Sequence, residues 1–287
     1  MALDFVAGYF GGLSGIVVGH PFDTVKVRLQ TQATKRYTGT VNCFAQIIKQ
    51  ETVFGLYKGM LSPMAGVGLI NAIIFGVQGN VLRILEPGLS SHCIAGGIAG
   101  AVQSIVCCPL ELAKTRVQVQ QSRLKAHEKY HGSLDCLQKI FRQGGLRGCY
   151  KGMTITVIRE IPSFAIYFGT FEVLCAAMTP HGSSVDCVGP LGVLFAGGIS
   201  GIASWVFMYP IDVIKSRIQA DGDGKDRRYH SLVDCIKKTY RTGGLRAFSQ
   251  GMTATVLRAF PTNAATFATV TVILRLARNR EKQLELA

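Results

Sequence analysis

A ten-residue pattern that occurs three times constrains this chain more than any other feature of its sequence. The pattern reads P-x-[DE]-x-x-K-x-R-x-Q and starts at Pro21, Pro109 and Pro210. A glycine lies 13 residues before each proline and a second glycine follows it four residues later, at Gly8 and Gly12, Gly96 and Gly100, and Gly197 and Gly201. Because self-similarity at a fixed period is the signature of a repeated unit, we predict three tandem repeats in one domain, at residues 1–87, 88–180 and 181–287.

Four long segments without Asp, Glu, Lys or Arg predict membrane-spanning helices. They cover residues 5–22, 60–82, 90–110 and 187–211, and a helix of about 20 apolar residues spans a bilayer. The mean hydropathy of +0.28 favours a membrane protein over the alternative of a soluble helical core. In each repeat we expect a glycine-rich helix that ends a little beyond the proline pattern, a basic loop, a short amphipathic helix and a second apolar helix. The fold class is therefore predicted to be an all-α membrane protein with six transmembrane helices and both termini on one side.

Basic residues are concentrated on one side of the expected membrane. The net charge is +14, and 24 of the 31 Lys and Arg residues lie in residues 24–58, 112–152 and 213–251. The positive-inside bias of membrane proteins explains this distribution, so nucleic acid is not an expected partner. The nine cysteines form no C-x₂-C pair, which argues against a zinc site or a disulfide framework, and no phosphate loop or nucleophile–base pair indicates an enzyme. Asp4 stands where a secretory signal would be basic, so targeting is expected to be internal.

Local patterns also predict how the helices pack. Small residues spaced by four let helices approach closely in lipid, so we expect the three glycine pairs to form helix contacts. The prolines are expected to bend their helices and to turn the residues that follow toward the bundle axis. The short helix of the second repeat is predicted over residues 134–142, at the membrane interface, with Leu134, Leu137, Ile140 and Phe141 on one face.

These patterns, with the downstream elements Tyr57-Lys58-Gly59, Tyr150-Lys151-Gly152 and the weaker Ser249-Gln250-Gly251, resemble the mitochondrial carrier family over essentially the whole chain. Stretches such as GHPFDTVKVRLQTQ and CCPLELAKTRVQ are similar to its carnitine and ornithine carrier branch. The resemblance implies a pseudo-threefold barrel that alternates between cytoplasm-open and matrix-open states, with three short amphipathic matrix helices. It also implies a monomer in the mitochondrial inner membrane, with termini toward the intermembrane space, bound cardiolipin and no cofactor or metal.

The resemblance assigns the charges of the proline pattern to a gate on the matrix side. Carried onto this sequence, the acid of each repeat pairs with the lysine of the next, as Asp23 with Lys114, Glu111 with Lys215, and Asp212 with Lys26. The glutamines that end the three copies, Gln30, Gln118 and Gln219, are expected to brace this ring by hydrogen bonds. An exposed ion pair contributes only about 0 to 1 kcal/mol, which suits a gate that must open. The alternative is a solvated charged face.

The opposite, cytoplasmic gate of the family is incomplete in this sequence. At the places of its aromatic–acid–x–x–base pattern, only Glu172 keeps a charge, while Arg83 and Arg275 each lie one residue beyond the expected base. We therefore expect a rearranged pairing to Glu172 and a weak cytoplasmic gate, which favours uniport beside exchange.

Three charges inside the expected spans, Arg159, Glu160 and Arg258, predict a substrate site. A charge at mid-membrane costs about 2.5 to 3.5 kcal/mol, so it normally faces a cavity and serves a function. Arg258 suits an α-carboxylate, and Glu160, beside Arg159, suits an amino group or a side-chain cation. The alternative is that Arg159 and Glu160 only neutralise each other. Trp205 is expected to stack on the substrate cation, unless it packs or faces lipid, and Asn71 is a weaker candidate for lining the cavity.

Together these residues favour a carrier of basic amino acids, namely arginine, lysine and ornithine. Carnitine or acylcarnitine, which are also zwitterionic, remain the alternative substrates. A nucleotide carrier is less favoured because the three repeats do not contribute a common basic cluster. A scaffold that keeps the fold but does not transport is a further alternative, against which the retained gate patterns argue.

Overall fold

A computed structural model describes residues 2–32, 36–86, 88–120, 130–179, 190–222 and 227–285. These residues form nine α-helices: α1 (Ala2–Thr31), α2 (Thr40–Glu51), α3 (Leu61–Ile84), α4 (Leu89–Val119), α5 (Ser133–Cys149), α6 (Met153–Met178), α7 (Pro190–Ala220), α8 (Leu232–Gly243) and α9 (Met252–Glu285). Two 3₁₀ segments, Val53–Tyr57 and Gly244–Ser249, precede α3 and α9. The order long helix, short helix, long helix therefore recurs three times.

The proline pattern has the same structure in each repeat. Its prolines lie inside α1, α4 and α7, and each helix continues ten residues further, to Thr31, Val119 and Ala220. In one copy, Asp23, Lys26 and Gln30 are spaced by three and four residues, so they share one helix face. The charged residues of the pattern are thus presented by a helix and not by a loop.

Four helices in the described part of the chain are long and apolar enough to cross a membrane. They are Val53–Ile84, Leu89–Val119, Met153–Met178 and Phe195–Ala220. The remaining long helices, α1 and α9, have 30 and 34 residues but are rich in glycine and threonine respectively. These less apolar residues lie where α1 and α9 pack on each other.

The chain divides into two compact units. The first unit comprises Met1–Gly68, Leu110–Cys149 and Gln250–Ala287, and the second comprises Leu69–Pro109 and Tyr150–Ser249. In the first unit, a buried core joins the end of α1, α2, the 3₁₀ segment after it and the start of α9; its members are Val25, Leu29, Tyr37, Cys43, Ile47, Leu56 and Ala254. In the second unit, one cluster centres on Ile74, Ala99 and Phe168, and another on Ile155, Ile214 and Cys235.

In the first unit, glycines let α1 and α9 approach closely in an antiparallel arrangement. A Cβ atom built on Gly11, Gly15 or Gly19 would lie 2.5 to 2.7 Å from side-chain atoms of Val270, Thr266 and Thr262. The expectation that Gly8 and Gly12 form the contact was wrong: nothing described lies within 4 Å of Gly8, and Gly12 meets only Val67, at 3.5 Å. Helix α1 contains two overlapping series of glycines spaced by four residues: Gly8 and Gly12, and Gly11, Gly15 and Gly19. The second series is the one that packs on α9.

In the second unit, the expected glycine contact forms between α4 and α6. A Cβ atom on Gly96 or Gly100 would lie 2.8 Å from the carbonyl oxygen of Phe164 or Glu160 respectively, so neither glycine tolerates a side chain without movement. The third pair differs from the expectation. A Cβ atom built on Gly197 would lie 3.7 Å from the hydroxyl of Tyr167, and one built on Gly201 would have no described neighbour within 4 Å.

The short helix of the second repeat is longer than expected and buries a different face. Helix α5 runs over Ser133–Cys149, with non-helical backbone at Gly145. Cys136 and Ile140 are buried, whereas Leu134 and Phe141 are 73% and 53% exposed. The single apolar face predicted from spacing is therefore split: one side packs on the protein, and the other faces outward, as the apolar side of an interfacial helix does.

A strained threonine follows α2. Thr52 has φ 63° and ψ −179°, and the matching positions of the other two repeats are Gly145 and Gly244, with φ 59° and 58°. Only glycine adopts this backbone region without strain, and the cost for another residue is about 1 to 3 kcal/mol. We expect Thr52→Gly to raise the melting temperature of the purified protein in detergent by about 2 to 4 °C.

Gly145→Thr, the reverse change at the matching position, serves as the control and is expected to lower that temperature. A lower melting temperature for Thr52→Gly would contradict the assignment of strain to Thr52.

Candidate functional site

In the first unit, Asp23 binds two cations that come from different helices. Lys114 Nζ of α4 lies 2.6 Å from Asp23 Oδ2, and Arg258 Nη1 of α9 donates to Asp23 Oδ1 at 2.8 Å. The three side chains, which we call the Asp23 cluster, are 16% to 29% exposed. One carboxylate thus neutralises two basic residues incompletely, and the cluster keeps a net positive charge.

The Asp23 cluster contains two residues predicted for the matrix gate, Asp23 and Lys114, and one predicted for the substrate site, Arg258. The contact between Asp23 and Lys114 is the one that the resemblance implied for the matrix gate. The contact between Asp23 and Arg258 was not expected, because Arg258 was assigned to the substrate carboxylate. A ligand that draws Arg258 away from Asp23 would therefore also change the surroundings of Lys114.

The predicted brace residues are buried. Gln118 Nε2 donates to Thr24 Oγ1 at 3.1 Å and lies 3.3 Å from His20 Nε2, and its backbone oxygen accepts from Arg28 Nε at 3.0 Å. Gln118 thus ties α4 to the residue that follows Asp23. Gln30 and Gln219 are 0% and 2% exposed. The role of these glutamines as braces stays a prediction.

Next to the Asp23 cluster, Glu51 fastens the short helix α2 to α1. Its carboxylate accepts from Arg28 Nη2 at 2.7 Å and from Lys58 Nζ at 2.6 Å, and its side chain is 5% exposed. Burial opposes the charged form of Glu51, but the hydrogen bonds from Arg28 and Lys58 outweigh it and lower the pKa of the carboxyl. His20 Nε2 lies 2.8 Å from the Lys58 backbone oxygen, so α1 also holds the segment after α2.

Cys43, Cys136 and Cys235, which occupy matching positions in the three repeats, are buried structural residues. Burial raises the pKa of the Cys43 and Cys136 thiols to about 12, and that of the Cys235 thiol to about 11. Thiols with such high pKa values are protonated at neutral pH and are poor nucleophiles. No group of three or more metal-ligating residues occurs in the part of the chain that the structure describes.

In the second unit, two acids and two bases form a buried network. Arg159 Nη1 donates to Glu160 Oε1, and Arg159 Nε lies 3.1 Å from Asp212 Oδ1. Lys215 Nζ lies 3.4 Å from Glu160 Oε1, and Gln103 Nε2 donates to Glu160 Oε2 at 2.9 Å. The four charged side chains are at most 12% exposed. We call these four residues and Gln103 the Glu160 network.

The Glu160 network is more than a self-neutralising pair of neighbours. Arg159 and Glu160 contact each other, as that alternative required, but each also binds a residue of α7, namely Asp212 and Lys215. Asp212 and Lys215 belong to the proline pattern, so predicted gate residues again contact predicted substrate residues. Buried charges of this kind are retained only when they are paired and hydrogen-bonded.

Aromatic and hydroxyl groups complete the contact between α6 and α7. The Arg159 guanidinium carbon lies 5.3 Å from the centre of the Trp205 ring, within cation–π distance. Ser163 and Ser204 are joined by a hydrogen bond of 2.7 Å between their hydroxyl oxygens. Trp205 thus stacks on a cation of the protein itself, and its contact with a substrate stays a prediction.

The remaining candidates are placed as follows. The expected pairs of Glu111 with Lys215 and of Asp212 with Lys26 each join residues of different units, and they stay predictions. Asn71 is exposed on α3. Glu172 Oε2 lies 3.7 Å from His92 Nε2, a neighbour that the sequence did not indicate.

Sequence reasoning missed Gln103 and His92. Both lie in α4, in a stretch that was noted only for its lack of charge. A glutamine in an otherwise apolar, glycine-rich span was a usable signal, because a buried amide needs hydrogen-bond partners.

Comparisons with known proteins agree with the repeat structure. The family model described as mitochondrial carrier protein matches residues 1–89, 85–182 and 188–281. The chain is 54% identical to the mitochondrial basic amino acids transporter of Bos taurus, over 99% of this chain and 95% of that protein. It is 52% identical to the protein of the same name of Homo sapiens, over 98% and 92% of the two chains. Solute carrier family 25 member 45 of Mus musculus is 41% identical over 96% and 99%.

Proposed function

Because the chain belongs to the mitochondrial carrier family, we propose that it transports basic amino acids, namely arginine, lysine and ornithine, across the mitochondrial inner membrane. Membership in the family confirms the all-α membrane fold class with three repeats, and it makes the chain a multi-pass transporter of a mitochondrial membrane and not an enzyme. The observation that carries the proposed substrate class is Glu160, a buried carboxylate whose partners are cations and an amide.

The proposed binding mode exchanges ion pairs within the protein for ion pairs with the substrate. In the second unit, the cationic end of the substrate takes the place of Lys215 at Glu160. Arg258, which belongs to the first unit, stays the predicted partner of the α-carboxylate. Glu160 thereby keeps a cationic partner when the substrate displaces Lys215, so the cost of leaving this carboxylate buried without a partner is avoided.

This exchange also suits the predicted alternation between two open states. Lys215 belongs to the predicted matrix gate, so a substrate that takes its place at Glu160 changes the interactions of a gate residue. A ligand shifts a conformational equilibrium only through a difference in its affinity for the two states. Substrate contacts made by residues that share partners with the gate supply such a difference.

Further parts of the proposal concern the surroundings of the protein. We expect a monomer with both termini toward the intermembrane space. In the second unit, a cavity of about 270 Å³ is lined by Lys151 and Arg227 among other residues, next to the Tyr150-Lys151-Gly152 element. Two cations at one cavity suit an anionic headgroup, which supports cardiolipin as the bound lipid.

Uptake of labelled lysine, arginine and carnitine into proteoliposomes that contain the purified protein tests the substrate class. We expect uptake of lysine and arginine and, at equal concentration, at least tenfold less uptake of carnitine. The quaternary ammonium group of carnitine has no N–H donor, and a site that hydrogen-bonds the N–H groups of its substrate rejects a compound without them. Liposomes without protein provide the background. Carnitine uptake equal to or above that of lysine would favour the alternative substrate.

The same liposomes, prepared with and without internal lysine, test the weak cytoplasmic gate. We expect slower but measurable uptake into empty liposomes, since the sequence keeps only Glu172 of this gate's charges and the structure places a histidine nitrogen 3.7 Å from it. Strict dependence on internal substrate would contradict uniport and leave exchange.

A further inference from the structure

Gln103 is a buried amide that contacts the proposed cation site from a different helix. It lies on α4, is 2% exposed, and donates from Nε2 to Glu160 Oε2 on α6 at 2.9 Å. The close approach of the two helices at Gly100 places it there, since a Cβ atom on Gly100 would lie 2.8 Å from the Glu160 backbone oxygen. Both residues belong to the second unit.

The orientation of the Gln103 amide follows from its partner. An ionised carboxylate only accepts hydrogen bonds, so the NH₂ group of Gln103 must face Glu160 and its oxygen must point elsewhere. Among the residues that the structure describes, none donates a hydrogen bond to Gln103 Oε1, although this atom is buried. A buried acceptor without a donor costs about 1 to 3 kcal/mol and is rare in native proteins.

Two hydrogen-bond acceptors, Glu160 Oε2 and Gln103 Oε1, therefore lie close together at one end of the Glu160 network. Glu160 Oε1 already receives Arg159 and Lys215, whereas Oε2 receives Gln103. The amide that bonds Oε2 carries the unsatisfied oxygen. A ligand that satisfies both must be cationic, for Glu160, and must carry N–H donors, for Gln103. A protonated ammonium group has three such donors and a guanidinium five, whereas a quaternary ammonium has the charge but none.

We propose that Gln103 Oε1 accepts a hydrogen bond from the cationic end of the substrate and so selects ammonium and guanidinium groups over quaternary ammonium groups. This inference rests on the proposed function, because it takes Glu160 as the cation site. Glu160 supplies attraction for any cation, and Gln103 supplies the discrimination. A site that hydrogen-bonds an N–H group rejects an analogue without it because its own polar atom is then left unpaired.

Methylated lysines test the role of Gln103 at constant charge. Lysine, Nε,Nε-dimethyllysine and Nε,Nε,Nε-trimethyllysine carry three, one and no N–H donors on the side-chain nitrogen. With the full-length protein in proteoliposomes, we expect dimethyllysine uptake within about threefold of lysine uptake, and trimethyllysine uptake at least tenfold lower. A smooth decline with each added methyl group would indicate size exclusion and overturn the proposal.

The variant Gln103→Leu tests whether Gln103 causes this step. We expect its ratio of lysine to trimethyllysine uptake to fall about tenfold, through slower lysine uptake. Val102→Leu, a change at the adjacent exposed position of α4, is the matched control and should keep the ratio of the parent. An unchanged ratio would overturn the proposal. If both uptake rates fall by the same factor, Gln103 only positions Glu160, and if neither falls, Gln103 has no role in transport.

The thermal shift of the parent protein and its uptake of lysine and arginine separate the possible outcomes. If Gln103→Leu does not fold, the thermal shift of the parent protein decides: lysine and dimethyllysine should raise its melting temperature, trimethyllysine should not, and equal shifts overturn the proposal. If the parent transports neither lysine nor arginine, the proposed function fails and the inference fails with it. If the parent transports both but does not distinguish dimethyllysine from trimethyllysine, only the role of Gln103 is overturned.

Discussion

Replacing Glu160 by glutamine is expected to lower the initial rate of lysine uptake into proteoliposomes by about 100-fold, because removing one partner of a buried charge pair costs about 2 to 5 kcal/mol. The change keeps the shape of the side chain and removes only its charge. Asp212 is then the one carboxylate that remains in the network beside Arg159 and Lys215, so a cationic substrate meets an excess of positive charge. The measurement is the initial uptake of labelled lysine at equal protein content.

The controls separate the loss of charge from general damage. Glu160→Asp keeps the charge on a shorter side chain and should retain more uptake than Glu160→Gln. Asp135→Asn removes a carboxylate from an exposed pair with Lys139 on α5 and should leave uptake unchanged. Lysine uptake by Glu160→Gln within threefold of the parent would contradict the assignment of Glu160 as the cation site.

We expect the double variant that exchanges the charges of Asp23 and Lys114 to be less stable than the parent. The same exchange in an isolated ion pair would leave the stability nearly unchanged. In Asp23→Lys with Lys114→Asp, the new lysine stands beside Arg258, whose guanidinium donates to Asp23 at 2.8 Å in the parent. Like charges then replace an ion pair. We expect a loss of about 2 kcal/mol for Asp23→Asn, below the usual 3 to 5 kcal/mol for a buried pair because the cluster is partly exposed, and at least the same loss for the exchange.

Melting temperatures of the purified variants in detergent measure this effect independently of transport. Adding Arg258→Gln to the exchanged pair should recover part of the loss, since it removes the repelling charge. The same exchange at the partly exposed pair of Asp135 and Lys139 is the control and should cause a smaller loss, although it also removes the hydrogen bond from the His131 backbone N–H to Asp135. A melting temperature equal to that of the parent for the exchanged pair would show that Arg258 does not act on Asp23.

Local regularities of the chain predicted most of the architecture. The proline pattern predicted three equivalent helices, and α1, α4 and α7 each end ten residues after their proline. Three of the four charge-free stretches, at residues 60–82, 90–110 and 187–211, overlap helices that are long and apolar enough to cross a membrane, because length and hydropathy are properties of a continuous segment. The fourth, at residues 5–22, lies in α1, which is not among these helices. The charged candidates of α6, Arg159 and Glu160, were also identified locally, since a charge in an apolar span is visible without any knowledge of its neighbours.

Partners across helices were predicted less well. The resemblance implied the contact of Asp23 with Lys114, but neither it nor the spacing indicated that Arg258, 235 residues away from Asp23, is a second partner. Lys215 was expected to meet Glu111, which stays a prediction, and its contact with Glu160 was not expected. Long side chains such as those of lysine and arginine reach several acids, and only the position of the neighbouring helix decides which ones.

The sequence by itself determined the repeat, the membrane class and the residues that carry charge, because each of these depends on which residues follow one another along the chain. The tertiary structure alone decided that the second glycine series of α1 meets α9, and that Gln103 meets Glu160. The physical reason is the geometry of a helix, which presents side chains around its full circumference. Which sector faces a neighbour is set by how the helices pack, and that packing depends on residues far apart in the chain. The motif Pro21 to Gln30 therefore predicts its own helix, but its ion pairs are selected by α4 and α9.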